Sequence, residues 1–163
     1  MNPTNPTGTT VKHLTFTGHR DRTADETALR DLLTAYPGAT WEHGGAPGFD
    51  TQVDAFARKH GLRVRVTRPD YRRYPAHCAP LKRNDEMVSR ADVVIALCDG
   101  RRTGGTYYTV QEATAAQARD GAEAEAGTED HNGASRPEAS DATEPVVRTR
   151  KNAEGATNGK VSG

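Results

Sequence analysis

The sequence predicts an α/β protein, a three-layer sandwich built on a mostly parallel sheet of about five strands. Two observations carry this. Short apolar or alternating segments recur between amphipathic helical segments, the succession expected of β-α-β units. One of them, Asp92-Val-Val-Ile-Ala-Leu97, is a near-continuous apolar run, the composition of a central parallel strand covered by helices on both faces.

Each element has its own signal. His13–Gly18 alternates and ends in glycine, which suits a strand followed by a sharp turn. Thr23-Ala-Asp-Glu26 has the spacing of a capping box, and Ala28, Leu29, Leu32, Leu33 and Tyr36 form a helical stripe closed by Tyr-Pro-Gly. Thr40–His43 reads as a short second strand. A helix then spans about Asp50 to His60 with Val53, Phe56 and Ala57 inward, and Gly61 ends it. Leu62–Thr67 alternates strictly, which places it near a sheet edge. After a loop rich in proline, tyrosine and arginine, Leu81–Arg90 is helical and leads into the apolar strand. Thr106–Arg119 is the next helix, and Glu144–Arg150 a last strand.

A chain of 163 residues holds one domain with a real core. Its hydrophobic content of 34% is low because residues 121–143 carry no apolar side chain larger than alanine, so this stretch is expected to be an acidic, low-complexity insertion outside the core. Residues 1–10 are expected to be a flexible leader, 11–120 the domain and 151–163 a flexible tail. Formal net charge is zero, which argues against nucleic acid and anionic membranes as partners of the whole surface. There is neither an apolar run near ~18 residues nor a signal-peptide pattern. Two cysteines and six histidines without metal-ligand spacing leave no metal assigned and make a reducing cytoplasm the default.

Ligands of open α/β sheets sit at the carboxyl ends of the strands. Those ends carry Gly18-His19-Arg20, the turn Gly44-Gly45-Ala46-Pro47-Gly48, and Asp99-Gly100-Arg101-Arg102-Thr103-Gly104-Gly105-Thr106. Glycines before a helix let backbone N–H groups close on an anion, and the helix N-terminus adds partial positive charge, so a phosphate is the natural guest. The nicotinamide-dinucleotide pattern G-x-G-x-x-G is missing after the first strand, and Thr106 stands where a Walker loop needs lysine; no cofactor is assigned and an NTPase is disfavoured.

Four segments in this order, Thr17-Gly-His-Arg20, Gly44–Val64, Leu81–Leu97 and Gly104–Thr109, resemble the SLOG superfamily of Rossmann-like proteins, and within it the YspA-related families. The resemblance spans about Leu14 to Ala118. It implies a Rossmann-like fold and binding of a nucleotide or nucleotide-derived small molecule. Relatives commonly form oligomers, so it also implies a homodimer. The superfamily includes the Lonely Guy phosphoribohydrolases and the DNA-binding DprA proteins. Arg83 and Met87 look like the arginine and methionine of the R-K-x-x-M segment of the Lonely Guy enzymes, and Gly104-Gly105-Thr106 partly matches their second motif. Thr109 replaces that motif's catalytic glutamate, and a hydroxyl does not stabilise the positive charge that N-glycosidic cleavage builds on ribose.

The expected site is therefore Gly18, His19, Arg20, Gly44, Gly45, Arg83, Gly104, Gly105 and Thr106. For a glycosidase, the rival reading, Arg83 and Glu112 are the catalytic candidates, Glu112 lying one turn beyond Thr109. Plainer roles stand beside these: a surface ion pair of Arg83 with Asp85 or Glu86, a solvated loop charge for Arg101 and Arg102, an N-cap for Asp50, and packing for Tyr71, Tyr74, Tyr107 and Tyr108. Single-stranded nucleic acid, suggested by Tyr71-Arg-Arg-Tyr74, is a third reading that the zero net charge disfavours.

Overall fold

The computed structural model describes residues 10–124 and 146–150. In chain order they form β1 (His13–Gly18), α1 (Glu26–Ala35), β2 (Thr40–His43), α2 (Phe49–Lys59), β3 (Val64–Val66), α3 (Ala79–Arg90), β4 (Val93–Leu97), α4 (Gly104–Ala124) and β5 (Val146–Arg150). The sheet has five strands in the order β3-β2-β1-β4-β5. The first four are parallel and β5 runs antiparallel to β4. This is the predicted Rossmann-like sandwich, with β3 at the edge and β4 buried at all five positions.

The alternation of strand side chains divides the core in two. Leu14 and Phe16 of β1, Trp41 of β2, and Val93, Ile95 and Leu97 of β4 pack with Leu29 and Leu32 of α1 and Phe49, Val53 and Phe56 of α2. The large aromatics concentrate here, with the Phe16 and Trp41 rings 4.6 Å apart and Trp41 stacked on Phe56 at 5.6 Å. Intervening positions face α3 and α4, where Val88, Val94 and Ala113 form a smaller cluster.

On that second face β2 places Glu42, fully buried. Its carboxylate accepts from Arg90 Nη2 at 2.6 Å and from the Thr67 hydroxyl at 2.5 Å, with His13 Nε2 at 3.3 Å and Arg65 Nε at 3.6 Å. A buried carboxylate is tolerable only when its lone pairs are filled in this way. The network ties β2 to α3 and to its neighbouring strands.

Local signals mostly decide the boundaries. Gly61, at φ 66°, follows the last turn of α2, and the N–H groups of Gly61 and Leu62 return to the carbonyls of Arg58 and Ala57, a Schellman ending. The cap of α1 is Asp25, whose side chain accepts from the Thr27 N–H, and not Thr23 as the capping-box spacing suggested. Helix α3 begins two residues early, at Ala79, with Pro80 in its first turn, where a missing N–H costs nothing. Helix α4 starts at Gly104 and continues to Ala124, so it takes in the first four residues of the expected acidic insertion. The remainder of that insertion, the leader up to residue 9 and the tail from residue 151 lie outside the described residues. No helix among the described residues is long and apolar enough to cross a membrane.

Candidate functional site

Strand order reverses at β1, because the chain leaves it toward β2 on one side and returns to its other side as β4. Loops diverge at such a point and open a crevice beyond the carboxyl ends of the strands. Here the crevice is a cleft of about 740 Å³, within the ~300–1,000 Å³ of typical small-molecule sites. The β1–α1 loop contributes Gly18, His19, Arg20 and Asp21, the β2–α2 segment Ala46 and Asp50, α3 Arg83 and Asn84, and α4 its first turns from Gly104 to Tyr108. Seven of the nine ligand-binding candidates line it: Gly18, His19, Arg20, Arg83, Gly104, Gly105 and Thr106.

Gly104 turns the chain into α4 at φ 87°, a conformation that side-chain-bearing residues rarely adopt. No side chain caps the first turn of α4 among the described residues, so the donors of that turn remain available at the cleft wall. The Thr106 hydroxyl, also in the wall, has no protein partner among the described residues. The Gly105 carbonyl is occupied: it accepts from Asn84 Nδ2 at 3.4 Å and from the Thr109 hydroxyl at 2.8 Å. Asn84, nearly fully buried, thereby joins α3 to the start of α4.

Two cations of this cleft make no ion pair among the described residues. Arg83 donates from Nε to Asn84 Oδ1 at 2.8 Å and from Nη1 to the Gly44 carbonyl at 2.6 Å. Its head is fixed by neutral acceptors, and Nη2 has no hydrogen-bond partner among the described residues. Burial lowers its pKa, against the attraction of Asp50 and Tyr71, and the nearby charge of Arg20 lowers it further. Arg20 itself is exposed, and it makes no hydrogen bond or ion pair among the described residues.

Gly44 and Gly45, expected to cradle the anion, do not line the cleft. Their N–H groups are already taken. Gly44 donates to Asp50 Oδ2 at 3.1 Å and Gly45 to His43 Nδ1 at 3.1 Å, while Ala46 donates to the same Asp50 oxygen at 3.2 Å. The turn instead folds onto Asp50 and offers its Gly44 carbonyl to Arg83. Asp50 is therefore not the N-cap, a position held by Gly48; it is a buried carboxylate that shapes the loop. Burial raises its pKa, opposed by the two backbone donors and by the charges of His43 and Arg83.

The opposite wall is tied by acidic groups. His19 Nε2 lies 3.0 Å from Asp99 Oδ1, so this side chain is engaged with a carboxylate and is not a free donor. Arg101 is no solvated loop charge: it lines the cleft, donates from Nε to Asp99 at 2.6 Å and from Nη2 to both oxygens of Asp21 at 3.0 and 2.9 Å. It links the β1–α1 loop to the β4–α4 loop. The Asp21 carboxyl is held below its usual value by Arg101. For Asp99, desolvation works upward, but the hydrogen bonds of Arg101 and the charge of His19 leave the pKa lowered.

Glu112 does not line the cleft, whereas Gln111 does. Thr109, at the position of the Lonely Guy glutamate, is almost fully buried and spends its hydroxyl on the helix backbone. Of the tyrosines, Tyr107 and Tyr108 line the cleft; the Tyr108 hydroxyl donates to Asp85 Oδ1 at 2.7 Å, and this bond raises its pKa to about 12. Ala46, within the turn the sequence marks, lines the cleft, as do Asp21 and His77, which the sequence reading does not single out. Asp21 adjoins the first glycine loop, which is a usable signal. His77 arrives from the long loop before α3, and nothing in its neighbours marks it. Among the described residues no group of three His, Cys, Asp or Glu side chains is placed to hold a metal ion. Comparison of the chain with protein-family models, with curated proteins and with solved structures finds no match.

Proposed function

We propose that this protein binds, and acts as a sensing module for, a nucleotide or nucleotide-derived small molecule of the kind the SLOG resemblance implies. The phosphate would lie at the N-terminus of α4 between Arg20 and Arg83, with the Thr106 hydroxyl as a further donor. The observation that carries the reading is the pairing of two cations, neither with a carboxylate partner among the described residues, beside an uncapped helix start in one cleft. Like charges gathered in one concave site repel each other until an anion arrives, so binding gains what the empty site lacks. Tyr107 supplies an aromatic surface on which a base can stack.

Binding without cleavage is the better-supported form of this proposal. Hydrolysis of an N-glycosidic bond needs an anionic carboxylate near the ribose. Thr109 offers none, Glu112 is outside the cleft, the buried Asp50 carboxylate is engaged by two backbone donors, and Asp21 is held through both oxygens by Arg101. The test is native mass spectrometry of the full chain with nucleoside monophosphates, NAD and ADP-ribose, following both bound mass and free base over hours. Retention of an intact ligand, weakened about tenfold by Arg20→Ala, is the expected result. Protein-dependent release of base would make it an enzyme, and retention of no nucleotide at all would remove the proposal.

A further inference from the structure

A second, smaller pocket of about 220 Å³ adjoins the first through Arg83, which lines both. Its wall holds Arg68, Arg73, Lys82 and Arg83 against only two acids, Asp70 and Glu86. Each acid is held through one oxygen by partners within the protein. Asp70 Oδ1 accepts from the N–H groups of Arg72 and Arg73 at 3.0 and 3.1 Å. Glu86 is paired with Arg90, which also serves Glu42.

The cations are far less committed. Arg68 and Arg73 form no ion pair among the described residues, and Lys82 meets Asp85 only at 3.6 Å. Arg73 lies over the ring of Tyr74, 5.3 Å from its centre, which orients the guanidinium without neutralising it. The volume lies below the ~300–1,000 Å³ that accommodates a whole small ligand, which suits a single group.

We propose that this pocket is a second anion site, built for one phosphate group, with Arg68 and Arg73 as its forked donors, Lys82 as a point charge and Arg83 as the wall shared with the main cleft. Planar guanidinium forks match phosphate oxygens in pairs, which a lysine cluster does not. The phosphate is either the distal group of a ligand whose other end occupies the main cleft or a separate phosphate ion. Because Arg68, Arg73 and Lys82 lie outside the main cleft, this site stands or falls separately from the function proposed above.

The experiment is amide NMR of the isotope-labelled full chain titrated with inorganic phosphate at constant ionic strength. Saturable shifts are expected at Arg68 to Tyr74 and Lys82, and the double variant Arg68→Ala, Arg73→Ala should weaken that binding by at least about tenfold while its spectrum stays dispersed. Shifts at Gly104 to Tyr107 report the main cleft and should be unchanged by the double variant. Absence of saturable shifts at Arg68 to Tyr74, or shifts of equal affinity in the double variant, would overturn the proposal. The source is then read by comparing AMP with an adenosine bisphosphate carrying phosphates at both ends of the ribose. An affinity gain for the bisphosphate that the double variant abolishes identifies one spanning ligand; no gain, with phosphate still saturating the small pocket, identifies a separate ion.

Discussion

Gly44→Ala separates the placement of Arg83 from the stability of the fold. A Cβ at residue 44 would sit 2.0 Å from Arg83 Nη1 and 2.4 Å from its Cζ, against 3.4 Å for ordinary contact. The guanidinium must therefore withdraw by about 1.4 Å, which is 3.4 less 2.0, and its 2.6 Å bond to the Gly44 carbonyl is lost. What yields is the end of a flexible side chain at an open cleft, where water can replace the bond, so the folding cost should stay near ~1–2 kcal/mol. A phosphate in the cleft loses a charge-assisted donor worth ~1.5–3 kcal/mol, or about tenfold to a hundredfold in affinity. Gly48→Ala is the control. Its Cβ would lie 2.5 Å from the Arg20 carbonyl oxygen and 2.6 Å from the carbonyl carbon, at φ 82°, and neither backbone can step aside. The left-handed conformation alone costs ~1–2 kcal/mol and the clash adds to it, so this variant should lose more than ~2 kcal/mol of stability. Urea unfolding gives the first quantity and calorimetric titration with AMP the second. A folded Gly44→Ala protein with wild-type affinity would show that Arg83 is not an anion ligand. Equal destabilisation by the two substitutions would refute the claim that the side chain gives way.

Two further outcomes test the core and the cleft charge. Glu42→Ala leaves Arg90 with Glu86 as its remaining carboxylate and takes the acceptor from the Thr67 hydroxyl, and should cost ~1–3 kcal/mol in urea denaturation; Glu42→Gln, which keeps an acceptor, should cost less, and equal losses would show that the charge is irrelevant. Asp50 has a folded pKa above 3.8 because it is buried, so the folded state holds a proton that the unfolded state has released. Stability should fall as pH rises from the unfolded value through the folded one. In Asp50→Asn the amide oxygen can replace Oδ2, which takes both backbone bonds; that decline should flatten, and affinity for AMP at neutral pH should rise as a negative charge leaves the cleft. An unaltered pH slope would show that Asp50 is not the group responsible.

The architecture was legible because hydrophobic period and turn residues are local properties, and β1 to β4 follow them closely. The sites of error are those where a side chain answers a partner distant in sequence. Thr23 and Asp25 both suit a cap, and only the path of the chain selects Asp25. Asp50 looked like a helix cap because sequence shows its helix and not the turn folded over it. Gly44 and Gly45 stand out in the sequence as unusual, and the structure gives that a local reason: a Cβ at Gly44 would meet Arg83 and one at Gly45 would crowd Val66. Arg101 was invisible as a tie because Asp21 is 80 residues away. Helix α4 runs past Arg119 because the Ala- and Glu-rich segment that follows, although too polar to be buried, has high helix propensity.

Strand β3 is the open parallel edge of the sheet. It is an edge only three residues long, yet its outer backbone groups are the ready template on which another chain could add a strand. Val64 and Val66 would suit such an addition. Between them Arg65 stands half-exposed, 3.6 Å from the buried Glu42, and Arg63 is anchored on the Gly38 carbonyl at 2.8 Å. Positive charge is thus fixed along the margin, where two copies approaching edge to edge would repel. Arg65 helps neutralise a carboxylate within the sheet, and charge on an edge strand opposes edge-to-edge pairing, so replacing Arg65 by valine should weaken the fold and promote aggregation in one step.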